Sequence, residues 1–298
     1  GNHDFNYGKE RLFELRDMSQ VGMLSANIVD ENGEYIFTPY VIEEVGDVKV
    51  GIYGLSTPDT VILTNPNNVV GLVFKDPIEV SKEMVEELED KTDVIIALAH
   101  LGLDESSTLT SKALAQEVEG IDLIIDGHSH SMLEAGQLEN NTLIVQTKNY
   151  GQNLGYVDIE ILEGEVTGIT ARLLAAADTA DVVPDPDLQK IIEDIEAANA
   201  EVFNEVIATT DVYLDGVREN VRTKETNLGN LSADAARAAT GADIAFVNGG
   251  GIREDIPVGD ITKGKIAAIF PFGNTIEVKK ITGADLKAML EWSVSDYP

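Results

Sequence analysis

The sequence predicts an α/β fold, because apolar runs of strand length alternate with stretches of helical periodicity and capping signals punctuate the helices. A chain of 298 residues, 43% hydrophobic and 25% charged, has the composition of soluble globular domains and length for two of them. The strand-length runs are residues 94–99, 121–125 and 143–145. A helix opens at Asp76, a capping residue followed by Pro77 in the first turn, and carries Ile78, Val85 and Leu88 on one side. A second helical stretch, about 109–118, stops at Gly120, which can take the left-handed conformation, and strand 121–125 follows. Between 175 and 187 the composition shifts to Ala, Asp, Thr and Pro. Asp185 and Pro186 then start a helix with Leu188, Ile191, Ile192, Ile195 and Val202 in register. Beyond it the pattern predicts a strand near 206–213, a helix from about 228 to 240 ended by Gly241, and a strand over 244–247. There is no internal repeat or low-complexity tract.

The charge narrows the partners. With 53 acidic residues against 21 basic ones, the surface field repels DNA, RNA and acidic membranes, so an anionic ligand has to be gripped locally, by bound cations or clustered arginines. The chain has no cysteine, which excludes disulfides, thiolate metal sites and thiol nucleophiles and leaves oxygen and imidazole ligands. No apolar run is long enough to span a membrane. Because the chain opens at Gly1 without a methionine, an upstream leader is compatible with it, and localisation is not readable from the residues.

The four histidines are His3, His100, His128 and His130. His100 and the pair His128/His130 stand just past the ends of apolar strands, where open α/β sheets bind ligands. A polar residue ending a strand often serves only local hydrogen bonding, and for one histidine alone that reading is the better one; for all four together it is not. His-x-His after Asp126 and Gly127 sends two imidazoles out of one tight turn, as neighbouring divalent ions require. The opening Gly1-Asn2-His3-Asp4 adds an amide oxygen able to ligate a metal, beside an imidazole able to act as an acid.

Three segments, Gly1-Asn2-His3-Asp4-Phe5-Asn6-Tyr7-Gly8, Ala99-His100-Leu101-Gly102 and Asp126-Gly127-His128-Ser129-His130, resemble the calcineurin-like metallophosphoesterases. Thr226-Asn227-Leu228-Gly229-Asn230, Asn248-Gly249-Gly250-Gly251-Ile252-Arg253 and Pro271-Phe272-Gly273-Asn274 narrow the resemblance to the 5′-nucleotidase branch and its C-terminal substrate domain. It implies a four-layer αββα sandwich over residues 1–175, a linker and connecting helix over 176–205, and a partial α/β substrate-binding domain over 206–298, with the chain cut at both ends. It also implies two divalent ions, with zinc, manganese, cobalt, magnesium and calcium left undistinguished. Asn2, His100 and His128 would hold one and His130 serve the other. The remaining ligands in that family lie upstream of the Asn-His motif, so the residues as given are expected to bind metal incompletely and to have little activity by themselves.

The implied reaction is attack on phosphorus by a metal-activated water, with His3 at the leaving oxygen. Many relatives support that histidine with an aspartate where this chain has Asn6, which can orient the ring but not stabilise an imidazolium by charge; Asp4 is the other candidate partner. On the substrate side, Arg222 and Arg253 match positions that hold the anionic end of the ligand, and Phe272 a base-stacking position. Asn248 with Gly250 forms a turn whose backbone can approach a ligand closely. The residues alone also allow Arg222 to be a surface partner of Glu225 and the glycine run to be a plain turn. The resemblance points to a nucleotide-hydrolysing enzyme outside the cytoplasm, whether extracellular, cell-wall-associated or periplasmic. Alternatives are a 2′,3′-cyclic-nucleotide phosphodiesterase with 3′-nucleotidase activity, a UDP-sugar hydrolase, or a non-catalytic nucleotide-binding or surface module. Neither the nucleotide nor the oligomeric state can be read.

Overall fold

The strand-length runs pair side by side in the computed structural model, which describes residues 1–295. The chain divides into two units, Gly1–Val182 and the residues from Val183 onward. In chain order the first contains α1 (Lys9–Met18), β1 (Ile28–Asp30), β2 (Tyr40–Val45), β3 (Val48–Ser56), the single turn α2 (Thr60–Leu63) and β4 (Leu72–Phe74). It continues with α3 (Pro77–Leu88), β5 (Val94–His100), α4 (Ser111–Glu117), β6 (Leu123–Ile125), β7 (Gln137–Glu139), β8 (Thr142–Val145), β9 (Asn153–Leu162) and β10 (Glu165–Ala175). Among the described residues a six-stranded sheet has the order β2-β3-β5-β6-β8-β7. Its four inner strands are parallel, and β2 and β7 run antiparallel at the edges.

Alternation along the strands separates two cores. Ile95, Ala97 and Ala99 face α3 and α4, whose Val80, Met84, Val85, Leu88, Leu114 and Ala115 close the main cluster. Asp76 caps α3 by accepting the Ile78 N–H at 2.7 Å, with Pro77 in the first turn as expected. Full burial of a side chain such as Leu88 contributes about 1.5–3 kcal/mol, so Leu88→Ala would cost roughly 2–5 kcal/mol. On the other face, Ile96, Leu123, Leu143 and Val145 pack against Val157, Ile159, Ile169 and Ala171 of the β9–β10 hairpin. That hairpin turns through Glu163 and Gly164, both at positive φ, which matches the twist of the strands they join. Helices, sheet and second sheet are thus stacked in the succession of the expected metallophosphoesterase sandwich. A third cluster, built on Phe5, Leu12, Ile28, Phe37 and Val69, anchors the first residues of the chain.

The second unit contains α5 (Pro186–Phe203), β11 (Val206–Thr210), α6 (Arg218–Val221), α7 (Asn227–Thr240), β12 (Gly259–Thr262), α8 (Lys263–Ile269) and α9 (Gly283–Ser293). Asp185 caps α5 through the N–H groups of Asp187 and Leu188, and α7 ends at left-handed Gly241. The core is Leu214, Leu228, Ile252, Ile256, Ile261 and Ile269. The division after Val182 falls inside the segment 176–205 expected to connect the two parts, and α5 packs on α8. The expected strand over 244–247 does not form a ladder among the described residues. Its backbone is irregular and Ile244 and Phe246 are 50% and 52% exposed, because an apolar alternation becomes a strand only where a neighbour takes its N–H and C=O groups. No described helix is long and apolar enough to cross a membrane.

Candidate active site

Parallel pairing brings the ends of β3, β5 and β6 to one edge of the sheet, so the loops after Ser56, His100 and Ile125 leave from the same place. The 3₁₀ turn Asn2–Phe5 lies against that edge, held from below. Phe5 is buried edge-on to Phe74 with ring centroids 5.7 Å apart, and Asn68 Nδ2 donates to the carbonyls of Phe5 at 2.8 Å and Asn6 at 3.0 Å.

Asn2 is 3% exposed, and its amide oxygen lies 3.1 Å from His100 Nε2 and 3.2 Å from His128 Nδ1. The two imidazole centroids are 5.1 Å apart. Donors sharing one divalent ion with bonds of about 2.0–2.1 Å sit roughly 3.0–3.4 Å from each other, so the Asn2 oxygen stands at ligand-set spacing from each imidazole nitrogen. Imidazole nitrogen and amide oxygen also suit a borderline divalent metal. Among the described residues no three His, Cys, Asp or Glu side chains gather in this way, and the third donor here is an amide. Burial, with His128 nearby, pushes the His100 pKa down, so the ring is neutral at pH 7, as a ligand must be. Glycines keep space around the rings: a Cβ on Gly127 would come within 3.1 Å of His100 Nδ1, and one on Gly102 within 3.1 Å of His128 Cδ2.

His130 leaves the same turn as His128 and lies edge-on to Tyr150, ring centroids 6.3 Å apart. Both histidines are left-handed, at φ 70° and 59°. At the surface, His3 Nδ1 is 3.3–3.5 Å from the amide atoms of Asn6, and Asp4 is exposed beside them. The structure therefore brings together Asn2, His100 and His128, and separately His3 with Asn6.

From the sequence, Asp126 and Ser129 were singled out only as parts of the histidine motif, and no supporting role was assigned to them or to Asp59 and Gln146. Asp126 accepts the N–H groups of Leu101 at 2.9 Å and Gly102 at 3.0 Å, and burial raises its pKa against those bonds. Gln146, the first residue after β8, donates to Asp126 and accepts from Ser129 and Ser131. Asp59 accepts the N–H and hydroxyl of Thr108, tying down the loop that follows His100. The available signal was a polar residue directly following an apolar strand, at 126 and again at 146.

In the second unit, Asn248 caps the 3₁₀ turn Gly249–Gly251 by accepting the Gly250 N–H at 3.1 Å. Arg253 Nη1 donates to the Gly250 carbonyl at 3.2 Å, and its guanidinium carbon lies 5.4 Å from the Phe272 ring centroid. A Cβ on Gly250 would sit 3.1 Å from Arg222 Nη2. Asn248, Gly250, Arg253, Phe272 and Arg222 are thus neighbours around one turn, presenting two guanidinium groups and an aromatic face.

Comparison with known proteins places these two groups of residues in context. The model of the calcineurin-like phosphoesterases matches residues 1–132, and that of the 5′-nucleotidase C-terminal domain matches 206–298. The chain is 40% identical over 268 residues to a trifunctional nucleotide phosphoesterase of Bacillus subtilis, covering 87% of this chain and 18% of that protein. It is 30% identical over 331 aligned positions to the 5′-nucleotidase of Vibrio cholerae, covering 96% of this chain and 59% of that enzyme. The solved structure of a 5′-nucleotidase precursor from Thermus thermophilus superposes with a TM-score of 0.87 at 32% identity, over 100% of this chain and 62% of that one. The chain therefore spans less than two thirds of the length of these relatives.

Proposed function

The chain belongs to the 5′-nucleotidase family, and from that premise we propose that it carries the catalytic and substrate-binding residues of a metal-dependent hydrolase of nucleotide phosphate monoesters. The observation that carries the proposal is the convergence of Asn2, His100 and His128 on one point at the strand ends. These three would hold one divalent ion and His130 would serve a second. Bound there, divalent cations supply charge that offsets the phosphoryl oxygens and make a water a competent nucleophile at neutral pH.

The chain's own groups account for the rest. Asn6 engages His3 at Nδ1, which leaves Nε2 to carry a proton to the departing oxygen. Arg222 and Arg253 offer planar forks to a phosphate, and Phe272 a face for a base. A net charge of −32 favours small nucleotides over nucleic-acid polymers. We place the enzyme outside the cytoplasm, as the family resemblance implies. Residues 206 onward are read as the substrate domain.

A second reading is favoured by Asn6, since an amide in place of a carboxylate fits relatives that open 2′,3′-cyclic nucleotides. Both readings are tested by assaying the protein at its natural length on AMP, 3′-AMP, 2′,3′-cyclic AMP and UDP-glucose with manganese, cobalt or zinc. A preference for AMP supports the first reading and a preference for the cyclic substrate supports the second. No hydrolysis of any of them under any metal defeats both. His3→Ala should lower turnover about 10²–10⁴-fold while leaving metal binding intact.

A further inference from the structure

Strand β8 ends at Val145, and the next side chain, Gln146, is 1% exposed yet entirely engaged with polar groups. Its Oε1 accepts the N–H of Ser131 at 2.6 Å and the hydroxyl of Ser129 at 3.0 Å, while its Nε2 donates to Asp126 Oδ2 at 3.3 Å. Chemistry fixes this orientation. A backbone N–H can only donate, so the amide oxygen must face Ser131, and the amide nitrogen then meets a carboxylate that accepts.

Asp126 passes the connection on, since its carboxylate also accepts from Leu101 and Gly102, the two residues after His100. One buried amide and one half-buried carboxylate therefore link the loop that carries His100 to the turn that carries His128 and His130. That turn needs holding, because both histidines sit in the left-handed region that side-chain-bearing residues rarely adopt. The two groups that Gln146 Oε1 binds, Ser129 and Ser131, alternate with those histidines along the turn.

We propose that Gln146 is a positioning residue of the metal centre. Through Asp126 it sets the spacing of the two ligand loops, and through Ser129 and Ser131 it holds the strained turn, so its amide governs metal affinity more than fold stability. The proposal rests on Asn2, His100 and His128 being metal ligands, and the experiment separates the two claims.

Cobalt(II) alone is the probe, titrated into the metal-free protein of natural length and followed by visible absorption, with the melting temperature of each metal-free variant measured in parallel. Gln146→Met keeps length and apolar volume but removes all three bonds, and should weaken cobalt binding roughly 10–100-fold. Gln146→Glu keeps the acceptor for Ser129 and Ser131 but sets a second carboxylate against Asp126, and should weaken it at least about tenfold. Thr142→Val, in the strand that precedes Gln146, removes a buried bond to the Ile121 carbonyl away from the turn, and should lower the melting temperature with cobalt affinity within about twofold of wild type. Should Gln146→Met fail to fold, Ser129→Ala removes one bond of the same network and should still weaken cobalt binding measurably. Unchanged affinity in both Gln146 variants, or in Ser129→Ala and Gln146→Glu, would make Gln146 an ordinary packing residue and overturn the proposal. If His128→Ala also leaves cobalt binding unchanged, the ligand assignment itself falls, and the positioning role with it.

Discussion

The turn 127–131 of the first unit and the turn 248–253 of the second both present polar side chains at the end of a hydrophobic segment, but they are held in different ways. The first is held by side chains. Gln146 accepts from Ser129 and Ser131 within it, and two of its residues, His128 and His130, are left-handed although neither is glycine. The second is capped by Asn248 too, but it also depends on the absence of a side chain, since a Cβ on Gly249 would lie 2.0 Å from the Val221 carbonyl oxygen. One turn is therefore sensitive to loss of polar partners, and the other to gain of volume.

The largest expected effect tests the second half of that contrast. Gly249→Ala drives a methyl into backbone that has no rotamer to yield, and should destabilise the second unit by about 3 kcal/mol or more. Gly251→Ala, where nothing lies within 4 Å of the new carbon, should change stability by no more than about 0.5 kcal/mol. Urea denaturation of the two variants side by side measures the difference, and equal midpoints would dissolve the distinction. Next in size is Asp126→Ala in the first unit, which strips the acceptor from the buried N–H groups of Leu101 and Gly102 and should cost about 1–3 kcal/mol in the same assay.

The contrast also explains how much could be read from sequence. The proposed ligands were legible as candidates because each is a chemically distinctive residue at a strand end or in a short motif: Asn2, His100 and His128 are named by type, and the fold brings them together. Their supports were not. Gln146 meets Asp126 only because β6 and β8 pair with Ile125 opposite Val145, a register that apolar runs of equal hydrophobicity do not specify. The hairpin β9–β10 was overlooked although Val157, Ile159 and Ile161 alternate and Glu163-Gly164 is a two-residue turn, because half of that pattern faces outward and dilutes the apolar signal. The error over 244–247 runs the other way: Ile244 to Val247 has strand composition, but pairing depends on a neighbour that local pattern cannot supply.

A smaller effect bears on strain. Left-handed backbone costs a side-chain-bearing residue roughly 1 kcal/mol relative to glycine, so His128→Gly should stabilise the metal-free protein by about 1 kcal/mol while abolishing metal binding. Lys148→Gly relieves the same strain at φ 69° at an exposed position, and should give up to about 1 kcal/mol in thermal melts while leaving cobalt affinity unchanged. If both variants lost stability, the turn would not be storing strain at its histidines.

The smallest effect separates a carboxylate next to the histidine turn from one at the far end of the same strand. Asp122, like Asp126, accepts a backbone N–H, from Ile95 at 2.8 Å, and burial raises its pKa above the ordinary 3.8; unlike Asp126 it lies at the start of β6, away from the histidines. A carboxyl group whose folded pKa is raised keeps its proton in the folded state at pH values where the unfolded chain has lost it. Stability therefore falls as pH rises from the unfolded pKa to the folded one, and stays lower above that window. Asp122→Asn removes this penalty while its amide oxygen still accepts from Ile95. The variant should melt slightly above wild type at pH 7 and level with it at pH 3, where both side chains are neutral. A variant melting below wild type at pH 7 would show that the ionised carboxylate gains more from the Ile95 N–H than burial costs it.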